Sequence, residues 1–239
     1  MTEILLDDRG TGKPYLLLHG GGGVATMAGL AGRLAARPGT RVLLPTHPGF
    51  AGTVQPDGLR SVGDLARAYV ALLDERDLTD VTVVGNSFGG WLAAEIALLR
   101  SPRVSGAVLI NAIGIEVAGH PVADVGAMTP AELAAHAWHD PSRAPKPPAA
   151  GGTGPSPDIL ALVAYTGPVM NDPTLLDRLR TLDLPVHVIW GASDRVVDVA
   201  HAEAFAAALP QSTLTVLPGS GHLPQLETPE ELVAALLGD

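Results

Sequence analysis

Val81-Thr82-Val83-Val84-Gly85-Asn86-Ser87-Phe88-Gly89-Gly90-Trp91-Leu92-Ala93-Ala94 is the stretch that decides the fold. Four β-formers lead into Gly-x-Ser-x-Gly, and an Ala/Leu-rich helix follows to about Arg100. Strand, sharp turn and helix in that order form the setting in which Gly-x-Ser-x-Gly presents a nucleophilic serine. The turn strains the Ser87 backbone and lifts its hydroxyl to the C-terminal edge of a sheet. Strand and helix must approach closely there, and Gly85 and Gly89 carry no side chain to keep them apart. The helix starting after Ser87 turns its positive end toward the place where an oxyanion would form.

Upstream, the apolar strand Tyr15-Leu16-Leu17-Leu18-His19 runs into Gly20-Gly21-Gly22-Gly23. A glycine run leaves backbone N–H groups uncovered, so Gly21 and Gly22, with the N–H of Phe88, are the candidate oxyanion donors. A nucleotide phosphate loop would need G-x-x-x-x-G-K-[ST], or G-x-G-x-x-G with a helix opening at once, and neither is present. Downstream, Val186-His187-Val188-Ile189-Trp190 is followed by Gly191-Ala192-Ser193-Asp194. Leu214-Thr215-Val216-Leu217 is followed by Pro218-Gly219-Ser220-Gly221-His222. Asp194 and His222 thus lie in loops just past strand ends. In such a set Ser87 attacks an acyl carbon and His222 shuttles the proton. Asp194 fixes the imidazole tautomer and stabilises the imidazolium. Asp198 and Glu116 are rival acids; Asp198 opens Val199–Phe205 and reads as a helix N-cap. Asn111, at the end of the preceding strand, cannot serve as the acid.

The order Ser87, Asp194, His222, with His19-Gly20-Gly21-Gly22-Gly23, the elbow and Trp190-Gly191-Ala192-Ser193-Asp194, resembles the α/β-hydrolase superfamily over nearly the whole chain. The resemblance implies an α/β fold: a mostly parallel central sheet flanked by helices, with an inserted helical lid. It also implies hydrolysis of a small ester, lactone or related acyl compound through an acyl-enzyme, without cofactor. Asn86 before the nucleophile is similar to the elbow of carbon–carbon hydrolases that cleave ring-fission products, which is the alternative chemistry. Leu223-Pro224-Gln225 after His222 is instead similar to simple esterases. A ligand-binding protein with little turnover is a third reading. Pro45-Thr46-His47-Pro48-Gly49-Phe50-Ala51-Gly52 is an altered form of a common family loop, and its His47 reads as a surface residue.

The 239 residues suit one α/β domain with an insertion, and 46% apolar residues supply a sizeable core. A net charge of −10 disfavours nucleic acid and anionic membrane surfaces as partners. With no cysteine, thiolate chemistry, disulfides and cysteine metal sites are excluded. Only 4% of residues are aromatic, too few for a surface that stacks bases or long sugars. Met1–Asp8 lacks a basic segment and a long apolar stretch, so no secretory signal is read and a cytoplasmic location is expected. A small acyl molecule is the expected partner, for a monomer or homodimer. No metal is expected: His136 and His139, spaced i, i+3 on a predicted helix, lack a third ligand nearby, and His120 is unremarkable.

Alternating patterns predict strands near 3–7, 15–19, 41–45, 81–86, 106–111, 186–191 and 213–217. Helices are predicted near 25–36, 61–76, 88–100, 198–208 and 229–237, with Ser61 and Thr228 as N-caps. Residues 1–113 and 183–239 form the predicted core, and 114–182 the lid. Helices open in the lid at Thr129-Pro130, Pro157-Asp158 and Asp172-Pro173. Between the first two, six prolines (141, 145, 147, 148, 155 and 157) with Gly151, Gly152 and Gly154 predict an extended or mobile loop. The lid would shape the acyl pocket, for which Ile113, Met128, Trp138, Leu162, Tyr165 and Met170 are the candidates.

Overall fold

A computed structural model describes residues 4–145 and 156–238. Seven strands form one sheet: β1 Leu6–Gly10, β2 Lys13–Leu18, β3 Thr40–Pro45, β4 Val81–Asn86, β5 Val104–Ile110, β6 Val186–Gly191 and β7 Ser212–Leu217. Their spatial order is β1-β3-β2-β4-β5-β6-β7. Only β1 runs antiparallel, against β3. The other pairs are parallel, which demands crossover helices and buries both sheet faces.

Alternate residues of each central strand serve opposite layers. Leu16, Leu18, Val83, Leu109, Val188 and Trp190 face one core. That core is closed by α2 (Val62–Glu75), α3 (Phe88–Leu98) and α7 (Val199–Ala208). Leu17, Val84, Val108, Ile110 and Ile189 face the other, closed by α1 (Ala28–Ala35) and α9 (Pro229–Leu237). Each of these fully buried side chains contributes about 1.5–3 kcal/mol of transfer free energy. Between β5 and β6 lie α4 (Pro130–Ala137), α5 (Pro157–Thr166) and the short α6 (Leu175–Leu179).

Several predicted elements shift. The first strand begins at Leu6 rather than residue 3, which itself lies outside the described residues. As an edge strand β1 is held by pairing with β3, including the ion pair of Asp8 with Arg41, while Ile4, just before it, packs on the core and Leu5 is exposed. The predicted helix 25–36 splits into a 3-10 turn, Val24–Met27, and α1. Ser61 caps α2 as predicted, accepting from the Asp64 N–H at 3.1 Å. Thr228 stands before α9, but its hydroxyl makes no cap, because a short helix α8 (Pro224–Glu227) runs straight into α9 and buries it. Pro157 begins α5 and Pro141 opens a 3-10 turn, while residues 146–155 of the proline-rich stretch lie outside the described residues.

Candidate active site

Ser87 stands at the junction of β4 and α3 with φ 56° and ψ −117°, the strained elbow the sequence predicts. For a non-glycine residue this conformation persists only where surrounding contacts over-determine it. Here they do: the Ser87 N–H donates to the Ile110 carbonyl at 2.9 Å, and Gly90 donates to the Ser87 carbonyl at 2.9 Å. A Cβ on Gly85 would occupy the space of the Gly89 carbonyl, and one on Gly20 would lie 2.9 Å from the Ser87 Cβ. The glycine loop after β2 therefore runs directly against Ser87.

Asp194 follows β6 and is 4% exposed. Its carboxylate accepts four hydrogen bonds. Oδ2 receives His222 Nδ1 at 2.8 Å and Asn111 Nδ2 at 2.7 Å. Oδ1 receives the N–H of Val196 at 2.8 Å and of Val197 at 3.1 Å. A buried carboxylate needs such donors, and together they fix its plane. Because the carboxylate only accepts, Nδ1 of His222 carries the proton and Nε2 keeps its lone pair. The Ser87 hydroxyl is not hydrogen-bonded to His222 in this structure, but both side chains line one cavity. Such bonds often tighten only when substrate binds.

That cavity, of about 270 Å³, is lined by Gly21 and Gly22 on one side and by apolar side chains elsewhere. Four of the six predicted pocket residues line it: Ile113, Trp138, Leu162 and Met170. Met128 and Tyr165 do not line it. Tyr165 instead stacks on Phe88 at 5.9 Å and donates its hydroxyl to the Pro48 carbonyl at 2.9 Å. Val122, Val125, Ile159, Val196 and Leu223 are among the further lining residues that were not foreseen. Phe88 is the first residue of α3, so its N–H has no intrahelical acceptor.

The profile of the alpha/beta hydrolase family matches residues 15–236. The chain belongs to this family. An uncharacterized Mycobacterium tuberculosis protein is 27% identical, over 94% of this chain and 74% of its own length. A 2-hydroxymuconate semialdehyde hydrolase of Pseudomonas putida is 34% identical over 46% of this chain and 40% of its own length. Among solved structures, a thermophilic esterase from Thermogutta terrifontis superposes with a TM-score of 0.77 at 22% identity, covering 98% of this chain and 92% of that one. A meta-cleavage product hydrolase from Pseudomonas fluorescens gives 0.76 at 22% identity, covering 98% and 93%. Esterases and carbon–carbon hydrolases thus share this architecture, and the enzyme is a hydrolase by family.

Other histidines take structural places in this hydrolase. His47 is fully buried, against the expectation of a surface residue. It lies between His19, Phe50, Tyr69 and Phe88, where a solvated loop side chain could not sit. Its Nε2–H donates to the His19 carbonyl at 3.0 Å, so Nδ1 accepts from the Tyr69 hydroxyl at 2.5 Å. Its own N–H donates to His19 Nε2 at 3.1 Å, which leaves the His19 proton on Nδ1, bonded to the Gly20 carbonyl at 2.9 Å. Burial lowers the His19 pKa to about 4. Burial first, and then its neighbour His19, push His47 well below the ordinary imidazole value. Gly23 also donates to the Gly20 carbonyl, at 3.1 Å. Carbonyl and N–H are antiparallel across a trans peptide, so this carbonyl's two donors also set the direction of the Gly21 N–H.

His136 and His139 do not share a helix face. Helix α4 ends at Ala137, and the two rings bond to the Glu132 carbonyl and to Ser193 respectively. Among the described residues no group of three or more His, Cys, Asp or Glu could hold a metal ion. His120 pairs with Asp198, whose other oxygen caps α7 through Ala200. Asp198 is thereby occupied at a helix start, and Glu116 lines a separate cleft with His120 and His201. Among the described residues no helix is long and apolar enough to cross a membrane.

Asn86 turns away from the cavity. Its amide donates to the His222 carbonyl at 3.0 Å and accepts from Gln225 at 3.0 Å. Sequence reasoning missed three buried polar residues here: Asn111, Gln225 and Glu227. The only local signal was a polar residue at the end of an apolar strand or beside His222.

Proposed function

We propose that the chain is a serine hydrolase of small, uncharged esters, lactones or related acyl compounds, working through Ser87, His222 and Asp194. The observation that carries this reading is the Asp194–His222 hydrogen bond meeting Ser87 at one apolar cavity. In it, His222 Nε2 takes the hydroxyl proton as Ser87 Oγ bonds to the acyl carbon. The oxyanion lies among the N–H groups of Gly21, Gly22 and Phe88. Collapse breaks the bond to the leaving group, which receives the proton from His222. Water then repeats the cycle on the acyl-enzyme. Residues 114–182 act as a lid that excludes bulk water and sizes the acyl pocket. These side chains suffice, so no cofactor is needed and EDTA is expected to leave the rate unchanged.

Carbon–carbon bond hydrolysis is the second reading, favoured by the likeness to the muconate semialdehyde hydrolase. Two observations weigh against it. Asn86, the elbow residue that suggested it, serves the His222 backbone and not the cavity. Related hydrolases are named for dienoates, which carry a carboxylate, and no cationic side chain among the described residues lines this cavity.

The deciding experiment is hydrolysis of p-nitrophenyl acetate, butyrate and octanoate by wild type and Ser87→Ala, with mass spectrometry after fluorophosphonate labelling. A Ser87-dependent rate and one adduct on Ser87 are expected. A labelled Ser87 with turnover only of a vinylogous diketone acid would replace the ester reading with the carbon–carbon one. No label would leave a ligand-binding protein.

A further inference from the structure

Glu227 is a buried carboxylate that the reaction above does not use. It is 5% exposed, and no ion pair among the described residues reaches it. Its acceptor capacity is spent on backbone. Oε2 receives the Gly221 N–H at 2.7 Å. His139 N–H reaches Oε1 and Oε2 at 3.0 and 3.1 Å, and Asp140 N–H reaches Oε1 at 3.3 Å. One donor is therefore the residue before His222, and the other two come from the end of the α4 segment. An acceptor-only group with two oxygens suits donors arriving from both sides, which an amide, carrying its own donors, cannot match.

The same segment touches the base loop directly. His222 donates its N–H to the Ala137 carbonyl at 2.7 Å, and a Cβ on Gly221 would overlap that carbonyl. The acid loop is joined as well, since Arg195 donates to the His136 carbonyl at 3.1 Å. On the opposite side Asn86 holds the His222 carbonyl. We propose that Glu227 is a positioning residue that clamps the α4 arm of the lid to the Gly221–His222 peptide, so that this arm is a fixed part of the base's mounting and not a moving flap. The inference rests on the reading of Ser87 and His222 as nucleophile and base.

The test uses Glu227→Gln and Glu227→Ala in the full chain. It measures kcat and KM on p-nitrophenyl butyrate, the rate of Ser87 phosphonylation, thermal midpoints, and backbone hydrogen exchange in peptides covering 134–142 and 218–226. Misplacing the base should lower kcat about tenfold for Gln and about a hundredfold for Ala, with phosphonylation falling in parallel and KM moving less than about threefold. Exchange should quicken in both peptides together. A structural role alone would lower the thermal midpoint and leave kcat of the folded fraction within about twofold of wild type, which would overturn the proposal. Faster exchange in only one peptide would overturn the clamp. If the Ala variant does not fold, the isosteric Gln variant carries the test. Failure of wild type to label or turn over would sink the hydrolase reading, while the exchange result would still decide the clamp.

Discussion

The two arms of the insertion attach to the core in different ways. The α4 arm is joined through backbone: the Ala137 and His136 carbonyls accept from His222 and Arg195, and Glu227 gathers the N–H groups of His139 and Asp140. The α5 arm is joined through side chains. Asp158 accepts from the Ala51 N–H at 2.8 Å, Tyr165 donates to the Pro48 carbonyl, and Leu162 packs over Gly21. The carbonyl contacts of the α4 arm survive a change of side chain; those made by Glu227 and those of the α5 arm do not. The α4 arm is thus suited to hold the loops of Asp194 and His222, and the α5 arm to set what fits in the cavity.

The sharpest test of that division lies beneath both arms. Ser87→Ala should remove turnover, and Asp194→Asn should cost on the order of 10⁴ in kcat. Near-normal rates in steady-state assays of Asp194→Asn would break the assignment of the acid. Next in size is Leu162→Ala. Freeing the space over Gly21 should raise the octanoate-to-acetate ratio of kcat/KM about tenfold, as expected for a few methylenes in an apolar pocket. An unchanged chain-length profile would mean that the α5 arm does not set specificity.

A third prediction concerns pH and the buried pair under the glycine loop. His19 and His47 have folded pKa values below their unfolded ones, so the unfolded chain binds more protons in acid. Their contribution is fully present above about pH 6.5 and is lost as pH falls below it, for His19 down to its folded value of about 4, by at most about 1.4 kcal/mol per pH unit for each ring. Urea unfolding from pH 7 to 4.5 should show this slope, and His47→Asn should flatten it. The smallest effect expected is Tyr165→Phe, which removes one hydrogen bond from the α5 arm and should cost about 1 kcal/mol in the same assay. A much larger loss would mean that the α5 arm is as tightly built in as the α4 arm.

The sequence made the elbow, the central strands and the loops that carry Asp194 and His222 legible, because each is announced by neighbours along the chain. Val81–Val84 names its own strand, and the glycines beside Ser87 name the turn. What escaped depends on partners far away. Asn111 was dismissed as an acid, yet it holds the Asp194 carboxylate 83 positions later. Glu227 meets its donor His139 across 88 positions, and nothing in Gln225-Leu226-Glu227 announces that the backbone after α4 will arrive there. His47 looked like a polar loop residue because its burial comes from α2 and the glycine loop packing over it. The first strand was misplaced for a related reason: an edge strand takes its register from its neighbour rather than from its own apolar residues.

The hydrogen bonds around His47 all have a defined sense. The Tyr69 hydroxyl gives to His47, the His47 ring gives to the carbonyl of His19, and the His19 ring gives to the carbonyl of Gly20. Each ring has one nitrogen giving and one receiving; a second proton on His19 would face the His47 N–H, whereas the Tyr69 hydroxyl can turn to accept from a second proton on His47. The chain of groups from α2 to the glycine loop works as a strut. It braces the Gly20–Gly21 peptide from the α2 side, and with it the Gly21 N–H that the proposed reaction turns toward the oxyanion.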